Sequence, residues 1–200
     1  MTVDSEKPDR MKWLSANLTL GLLVTVMSIF TAVANYATYV VGGNASGYEA
    51  EGDRLLSNAN TSYINASQFV IVDYTMYDNY YANFNTDEEL ANYYKSLFSV
   101  PLNSSLDRNT PFDQQYLDEM YADANAKFDE AFAQFDRANA EGEREAAYQL
   151  DMLVAAVGLA FAAYASLLDE ANHLRKVFAL MSLLMMVFSI GQFILAAVKG

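Results

Sequence analysis

Residues 13–41 read WLSANLTLGLLVTVMSIFTAVANYATYVV and contain no charged side chain. A helix that crosses a bilayer needs about 20 predominantly apolar residues, so this run is long enough to span a membrane. Two further uncharged apolar runs cover residues 152–168 and 177–198. The sequence therefore predicts three transmembrane helices, over residues 13–41, 149–168 and 177–198.

The distribution of charge predicts how these spans are oriented. Basic side chains occur in residues 1–12, before the first span, and in the short stretch 169–176 between the second and third. Short loops rich in lysine and arginine stay on the cytoplasmic side. Residues 36–148, by contrast, contain 19 acidic and 6 basic side chains. The charge of this segment is therefore −13, which equals the net charge of the whole chain. We therefore expect an integral protein of the inner cell membrane, with a cytoplasmic N-terminus and residues 42–148 outside.

Composition argues against several classes of function. The chain has no cysteine and only one histidine, His173, so it cannot assemble a cysteine-based redox site or a multi-histidine site. The acidic outer segment argues against nucleic acid as a partner. Asp151 lies at the outer edge of the second predicted span, and no Asp, Glu, Lys, Arg or His lies deeper in any span, which argues against active transport. We predict no enzymatic activity, no metal and no cofactor.

Helical periodicity continues through the outer segment. Apolar residues recur at steps of three, four and seven over residues 48–84, and at steps of three and four over residues 117–138. This spacing is typical of one face of a helix, and two helices of similar length suit an antiparallel hairpin. The predicted fold class is an all-α membrane protein, with three transmembrane helices and a long antiparallel helical-hairpin ectodomain between spans one and two.

The connection between the two long outer helices contains capping and turn-forming residues. We predict that Thr86 caps a short helix at the tip of the hairpin, because a glutamate follows three residues later. Residues 99–111 are rich in turn formers and predict a loop. Thr110 and Pro111 predict the start of the return helix, with threonine as its cap and proline in its first turn.

The stretch YTMYDNYYANF, residues 74–84, places four tyrosines and a phenylalanine near the predicted tip. Helical spacing predicts that Tyr74, Tyr77 and Tyr81 pack inside the hairpin, and that Tyr80 faces outward to another chain or to the tip helix. Two helices cannot enclose so many rings, so the surplus is expected to meet the tip helix, another subunit or a small ligand. The candidate interface residues of this region are Tyr74, Tyr77, Tyr80, Tyr81, Phe84, Tyr93 and Tyr94.

The first predicted span has one face of small and polar residues, which recur at steps of three and four. Polar side chains inside a bilayer seek protein partners, and small residues let helices approach closely. Packing against the other two spans, association between copies of the chain, or a water-lined path would each explain this face. The candidate interface residues in the span are Asn17, Gly21, Thr25, Ser28 and Asn35.

Three stretches carry a resemblance to a known family. They are MKWLSANL at residues 11–18, ANTSYINASQ at 59–68 and LLDEANHLRK at 167–176. Their order resembles a bacterial family of small three-span membrane proteins of unknown function with a helical ectodomain. The tyrosine-rich stretch departs from that pattern, because the family is usually more charged there. The resemblance implies an architecture and no activity.

Two functions from different classes fit these features. We predict a non-enzymatic structural or accessory membrane subunit, which assembles through its transmembrane helices and its tyrosine-rich ectodomain. Its predicted partners are the lipid bilayer and either copies of itself, as a homo-oligomer, or other subunits of a larger membrane complex. The alternative is an extracytoplasmic ligand-sensing protein that signals through a partner. That alternative predicts a closed pocket lined by tyrosines near the tip.

Overall fold

The computed structural model describes residues 13, 14, 16–170 and 172–198, and within them the chain forms six α-helices and no β-strand. Three of these helices, α1, α5 and α6, are long and apolar enough to cross a membrane. The basic tail over residues 1–12, which is predicted to be cytoplasmic, lies outside the described residues. The helices are α1 (Asn17–Asn83), α2 (Glu88–Ser96), α3 (Val100–Asp107), α4 (Gln114–Met120), α5 (Ala122–Leu167) and α6 (His173–Val198).

The two longest helices run well beyond the length of a membrane span. α1 continues for 67 residues, past Gly42 and Gly43, and α5 continues for 46 residues, past Gly142. None of the three prolines of the chain lies within either helix, so every interior amide can donate its helical hydrogen bond. The described residues divide into two compact units, and both long helices contribute to each. One unit takes the residues up to Ser46 and from Ala138 onward, and the other takes Gly47–Arg137.

In the first unit, α1, α5 and α6 pack through small and apolar side chains. Leu20 and Leu23 of α1 are buried in one cluster with Ala162 of α5 and Ala179 of α6. Met27 of α1, one turn further along the same face, is fully buried as well. Alanine at the contact positions lets the helix backbones approach closely, and close packing is a main stabilising term between helices in a bilayer.

In the second unit, α1 and α5 run antiparallel. Gly52 of α1 lies against Phe135, and Ser62 accepts a hydrogen bond from Lys127 at 2.7 Å. A Cβ atom at Gly52 would lie 2.7 Å from the Phe135 ring, so the close approach at this level requires glycine. The apolar residues farther along this unit form one cluster, which we call the Tyr116 cluster. Its buried members are Val70, Phe98, Leu102 and Tyr116.

The cap of α2 differs by one residue from the prediction. The Asp87 carboxylate accepts a hydrogen bond from the Leu90 amide at 3.0 Å, and Asp87 has the extended backbone of an N-cap. Thr86, the predicted cap, instead donates its hydroxyl to the Asn83 carbonyl. A carboxylate at a helix N-terminus also interacts favourably with the helix dipole, which favours aspartate over the adjacent threonine.

The predicted loop over residues 99–111 is wrong, because most of this stretch is helical. The Ser99 hydroxyl caps α3, and Pro101 lies in the first turn of that helix. The first amides of a helix have no intrahelical partner, so proline removes no hydrogen bond there. Thr110 does not cap the next helix either. Asp113 caps α4, and its carboxylate accepts a backbone amide at 2.8 Å.

Candidate interaction surfaces

The small and polar face of α1 in the first unit is exposed. Thr25, Ser28 and Asn35 are exposed side chains, and a Cβ atom at Gly21 would meet no atom within 4 Å. The buried face that contains Met27 lies about 120° round the helix, by the period of 3.6 residues per turn. Of the three explanations for this face, packing against the other two long helices therefore does not account for its exposed part, from Gly21 to Asn35.

The polar groups on the exposed face differ in whether the chain itself satisfies them. Thr25 Oγ1 donates to the Gly21 carbonyl at 2.9 Å, and Ser28 Oγ donates to the Val24 carbonyl at 2.7 Å. The side-chain amide of Asn35 makes no hydrogen bond to any described residue. Asn35 borders an open cavity of about 570 Å³. Other residues that line this cavity include Thr38, Tyr39, Gly42, Gly43 and Glu145.

Asn17, the first candidate on this face, has partners within the chain. Its Oδ1 accepts a hydrogen bond from Arg175 Nη2 at 2.5 Å, and its Nδ2 donates to Glu170 Oε1 at 3.2 Å. Arg175 is only 3% exposed and also donates to the Leu168 carbonyl at 2.6 Å. α6 begins inside the stretch 169–176, so Arg175 lies in its first turn. Asn17 therefore ties the start of α1 to the α5–α6 connection.

The tyrosines of the second unit divide between core and surface differently from the prediction. Tyr77 and Tyr80 pack against the Tyr116 cluster, whereas Tyr81 is 72% exposed, so its predicted inward position is wrong. Tyr80 contacts Phe98 with ring centroids 5.6 Å apart, which is one of its two predicted positions, toward the tip helix. Tyr74 is half-exposed and is covered on one side by a stacked ring.

A buried carboxylate explains this difference. Asp73 is 2% exposed, and it accepts hydrogen bonds from the Ser99 amide at 3.0 Å and from the Ser99 hydroxyl at 2.5 Å. The Tyr116 hydroxyl donates a third hydrogen bond at 2.9 Å. With Asp73 inside, the inner face of α1 continues to Tyr77 and Tyr80 and leaves Tyr81 outside. Burial, and then the hydrogen bond to Asp73, raise the pKa of Tyr116 above its ordinary value, so its hydroxyl remains a donor.

An ion pair orders the turn between α3 and α4. Arg108 Nε donates to Asp113 Oδ2 at 2.6 Å, and Arg108 Nη2 donates to Asp113 Oδ1 at 2.7 Å. The Arg108 hydrogen bonds, and then the Tyr116 amide, lower the pKa of Asp113 to about 2. Asp113 is therefore ionised at neutral pH and serves as helix cap and ion-pair partner at once.

An open cavity of about 290 Å³ lies beside the Tyr116 cluster. Tyr81 and Phe84 on its rim are more than half exposed, so the cavity opens to solvent. It differs in this respect from the closed pocket that the ligand-sensing alternative predicts. On α2, Tyr93 and Tyr94 contact each other with ring centroids 5.6 Å apart, and Tyr93 is 58% exposed. The residues that line the cavity are Tyr77, Tyr80, Tyr81, Phe84, Lys95 and Leu106.

The comparisons with known proteins identify no relative: no family model, no curated protein and no solved structure matches this chain. The resemblance to the three-span bacterial family therefore stays a hypothesis. Within the part of the chain that the structure describes, no three His, Cys, Asp or Glu side chains come together to hold a metal ion.

Proposed function

We propose that the protein is a non-enzymatic structural or accessory membrane subunit, which assembles with copies of itself or within a larger membrane complex. The observation that carries this proposal is the exposed small and polar face of α1. That face lies within the charge-free run over residues 13–41, which is long enough to cross a bilayer. Its members include Gly21, Thr25, Ser28 and Asn35, all of which are exposed.

A face of this composition is better matched by another helix than by lipid. Lipid chains offer no partner for the Asn35 amide, and an amide that loses water without gaining a hydrogen bond costs about 1–3 kcal/mol in proteins. Gly21 and Ser28 allow a second backbone to come close, as small residues do between membrane helices. The apolar side chains suited to lipid, such as Leu22 and Ile29, are also exposed but lie on a different side of the helix.

The orientation of the chain is part of this proposal. Residues 42–148 form a helical-hairpin ectodomain outside the inner cell membrane, and the N-terminus and the α5–α6 connection are cytoplasmic. The antiparallel contacts of α1 and α5 in the second unit and the acidic excess of this segment support the arrangement. A cysteine at Asn92, which is exposed on α2, is expected to react with an impermeant maleimide in intact cells. A cysteine at Asn172 is expected to react only after permeabilisation, and the reverse pattern would overturn the orientation.

A leucine at Ser28 is expected to weaken assembly. The larger side chain would hold a neighbouring helix away, and losing about 1.4 kcal/mol of contact energy lowers an association constant about tenfold. Blue-native electrophoresis of mild detergent extracts measures the fraction of chain in complexes. The matched control is Val33→Leu, because Val33 is an exposed apolar residue on another side of the same helix.

The wild-type chain and the Val33→Leu variant are expected to migrate as complexes, and the Ser28→Leu variant mainly as a smaller species. A wild-type chain that migrates alone in the mildest extracts would contradict the proposal. Equal migration of the two variants would show that the small and polar face is not the contact.

A further inference from the structure

In the second unit, α1 has an exposed row of residues on the side away from α5, which we call the outer seam. Apart from its inner face, which contains Ala59, Ala66 and Val70, the helix has an outer row of residues at steps of four and three. Every member of this row is exposed. A helix with two such seams is typical of one that lies between two neighbours, and α5 contacts only the inner one. The outer seam consists of Ser57, Thr61, Ile64, Gln68, Ile71 and Thr75.

The outer seam is more apolar than its composition indicates. Ile64 and Ile71 are 55% and 65% exposed. Thr61 Oγ1 donates to the Ser57 carbonyl and Thr75 Oγ1 donates to the Ile71 carbonyl, so both hydroxyls are satisfied within the helix. Ile64 and Ile71 lie seven residues apart, which is the spacing of apolar residues along a helix–helix contact.

Charge indicates what covers this seam. From residue 55 to residue 77 the only charged side chain is Asp73, which is buried against Ser99 and Tyr116. The exposed face of α5 in the same unit carries acidic residues, among them Asp129 and Glu130. Two copies that met through α5 would bring like charges together, whereas two copies that met through the outer seam would not. A basic partner would be attracted to the acidic faces and not to this neutral one.

We propose that the outer seam of α1 docks against the same seam of a second copy of this chain. The inference rests on the proposed function, because the membrane holds the copies close enough for a short seam to associate. Copies inserted in one membrane share one direction, so their α1 helices run parallel and each seam position meets its own equivalent. Ile64 and Ile71 then form apolar layers. The Gln68 amide, which has a donor and an acceptor, pairs with the Gln68 amide of the second copy.

Cysteine cross-linking in native membranes tests this contact, because the chain has no cysteine of its own. The test position is Gln68→Cys. The control position is Ala126→Cys, which is exposed on α5 beside Lys127, at the level where Lys127 contacts Ser62. Mild oxidation is expected to convert most of the Gln68→Cys chain to a disulfide-linked dimer and to leave Ala126→Cys monomeric.

A second substitution tests the chemistry of the seam. Ile71→Glu in the Gln68→Cys chain removes an apolar layer and places like charges opposite each other, so cross-linking is expected to fall about tenfold. Because Ile71 is exposed, its replacement does not disturb the core of the unit. A third variant, Ser28→Cys, reports contact through the small and polar face of the span separately.

The outcomes distinguish this inference from the proposed function. Cross-linking at Ser28→Cys without cross-linking at Gln68→Cys would overturn the seam and retain the assembly. A complex on native gels with no cross-linking at either position would place the contact on another surface or with another protein, and would overturn the inference. Equal cross-linking of Gln68→Cys and Ala126→Cys would show random collision and would also overturn it.

Discussion

Replacing Asp73 with alanine is expected to destabilise the second unit by about 3–5 kcal/mol, because hydrogen bonds to a charged group contribute about 1.5–3 kcal/mol each and their buried partners would be left unsatisfied. The carboxylate joins α1 to Ser99, the cap of α3, and to the Tyr116 hydroxyl. Hydrogen–deuterium exchange of the full-length protein in detergent is the measurement. Amides of α3 are expected to lose their protection first.

Two control variants define the effect of Asp73. Tyr116→Phe removes one of the three hydrogen bonds and keeps the ring, so a smaller loss of about 1–2 kcal/mol is expected. Asp78→Ala removes an exposed carboxylate from the same helix, and such surface changes usually stay within about 0.5 kcal/mol. If the α3 amides exchange hydrogen for deuterium equally fast in the Asp73→Ala and Asp78→Ala variants, Asp73 does not hold α3 in place.

A leucine at Gly158 is expected to disrupt the packing of the three long helices in the first unit. A Cβ atom at this position of α5 would lie 2.8 Å from the Met185 Cβ and would also collide with the Met27 side chain. The Met185 Cβ is fixed to its helix and cannot move without displacing that backbone, and the Met27 side chain is fully buried. Overpacking a core usually costs about 1–3 kcal/mol, and leucine adds more than one methylene.

The matched control for this substitution is Gly191→Leu on α6. A Cβ atom at Gly191 meets nothing within 4 Å, so the added side chain extends into open space. The thermal unfolding temperature of the detergent-solubilised protein is expected to fall sharply for Gly158→Leu and to change little for Gly191→Leu. Equal shifts would show that helix propensity, and not the close contact of Gly158 with Met27 and Met185, determines the effect.

The sequence predicts the helical class and the three apolar helices because those features depend on composition and local periodicity. Uncharged runs of this length are visible without any knowledge of packing, and the structure has long apolar helices over all three. The helix caps are less predictable. Thr86 and Asp87 are adjacent capping residues, and the choice between them depends on where the chain leaves α1.

The register of the tyrosine-rich stretch was not predictable from periodicity alone. A rule that places charged residues outside puts Asp73 on the surface and Tyr74 and Tyr81 within. The structure buries Asp73 because Ser99 and Tyr116 supply three hydrogen bonds, and both lie far from it in the sequence. Partners at such separations are set by tertiary packing, so spacing within one helix carries no signal for them.

The small and polar face of α1 in the first unit can be predicted from the sequence pattern, but the helix that contacts it cannot. Small and polar residues at helical spacing predict a close contact with some helix, inside the chain or outside it. Leu20, Leu23 and Met27 occupy the contact with α5 and α6. The face of Thr25 and Ser28 is thereby left open, which only the packed structure reveals.

Native mass spectrometry of the unmodified protein, released directly from membrane vesicles without detergent, tests the proposed assembly most directly. We expect a species that contains at least two copies of the chain, or one copy with a distinct protein partner, because the proposal places a neighbouring helix on the small and polar face of α1. Detection of the single chain alone, with bound lipid and no other protein, would contradict the proposal.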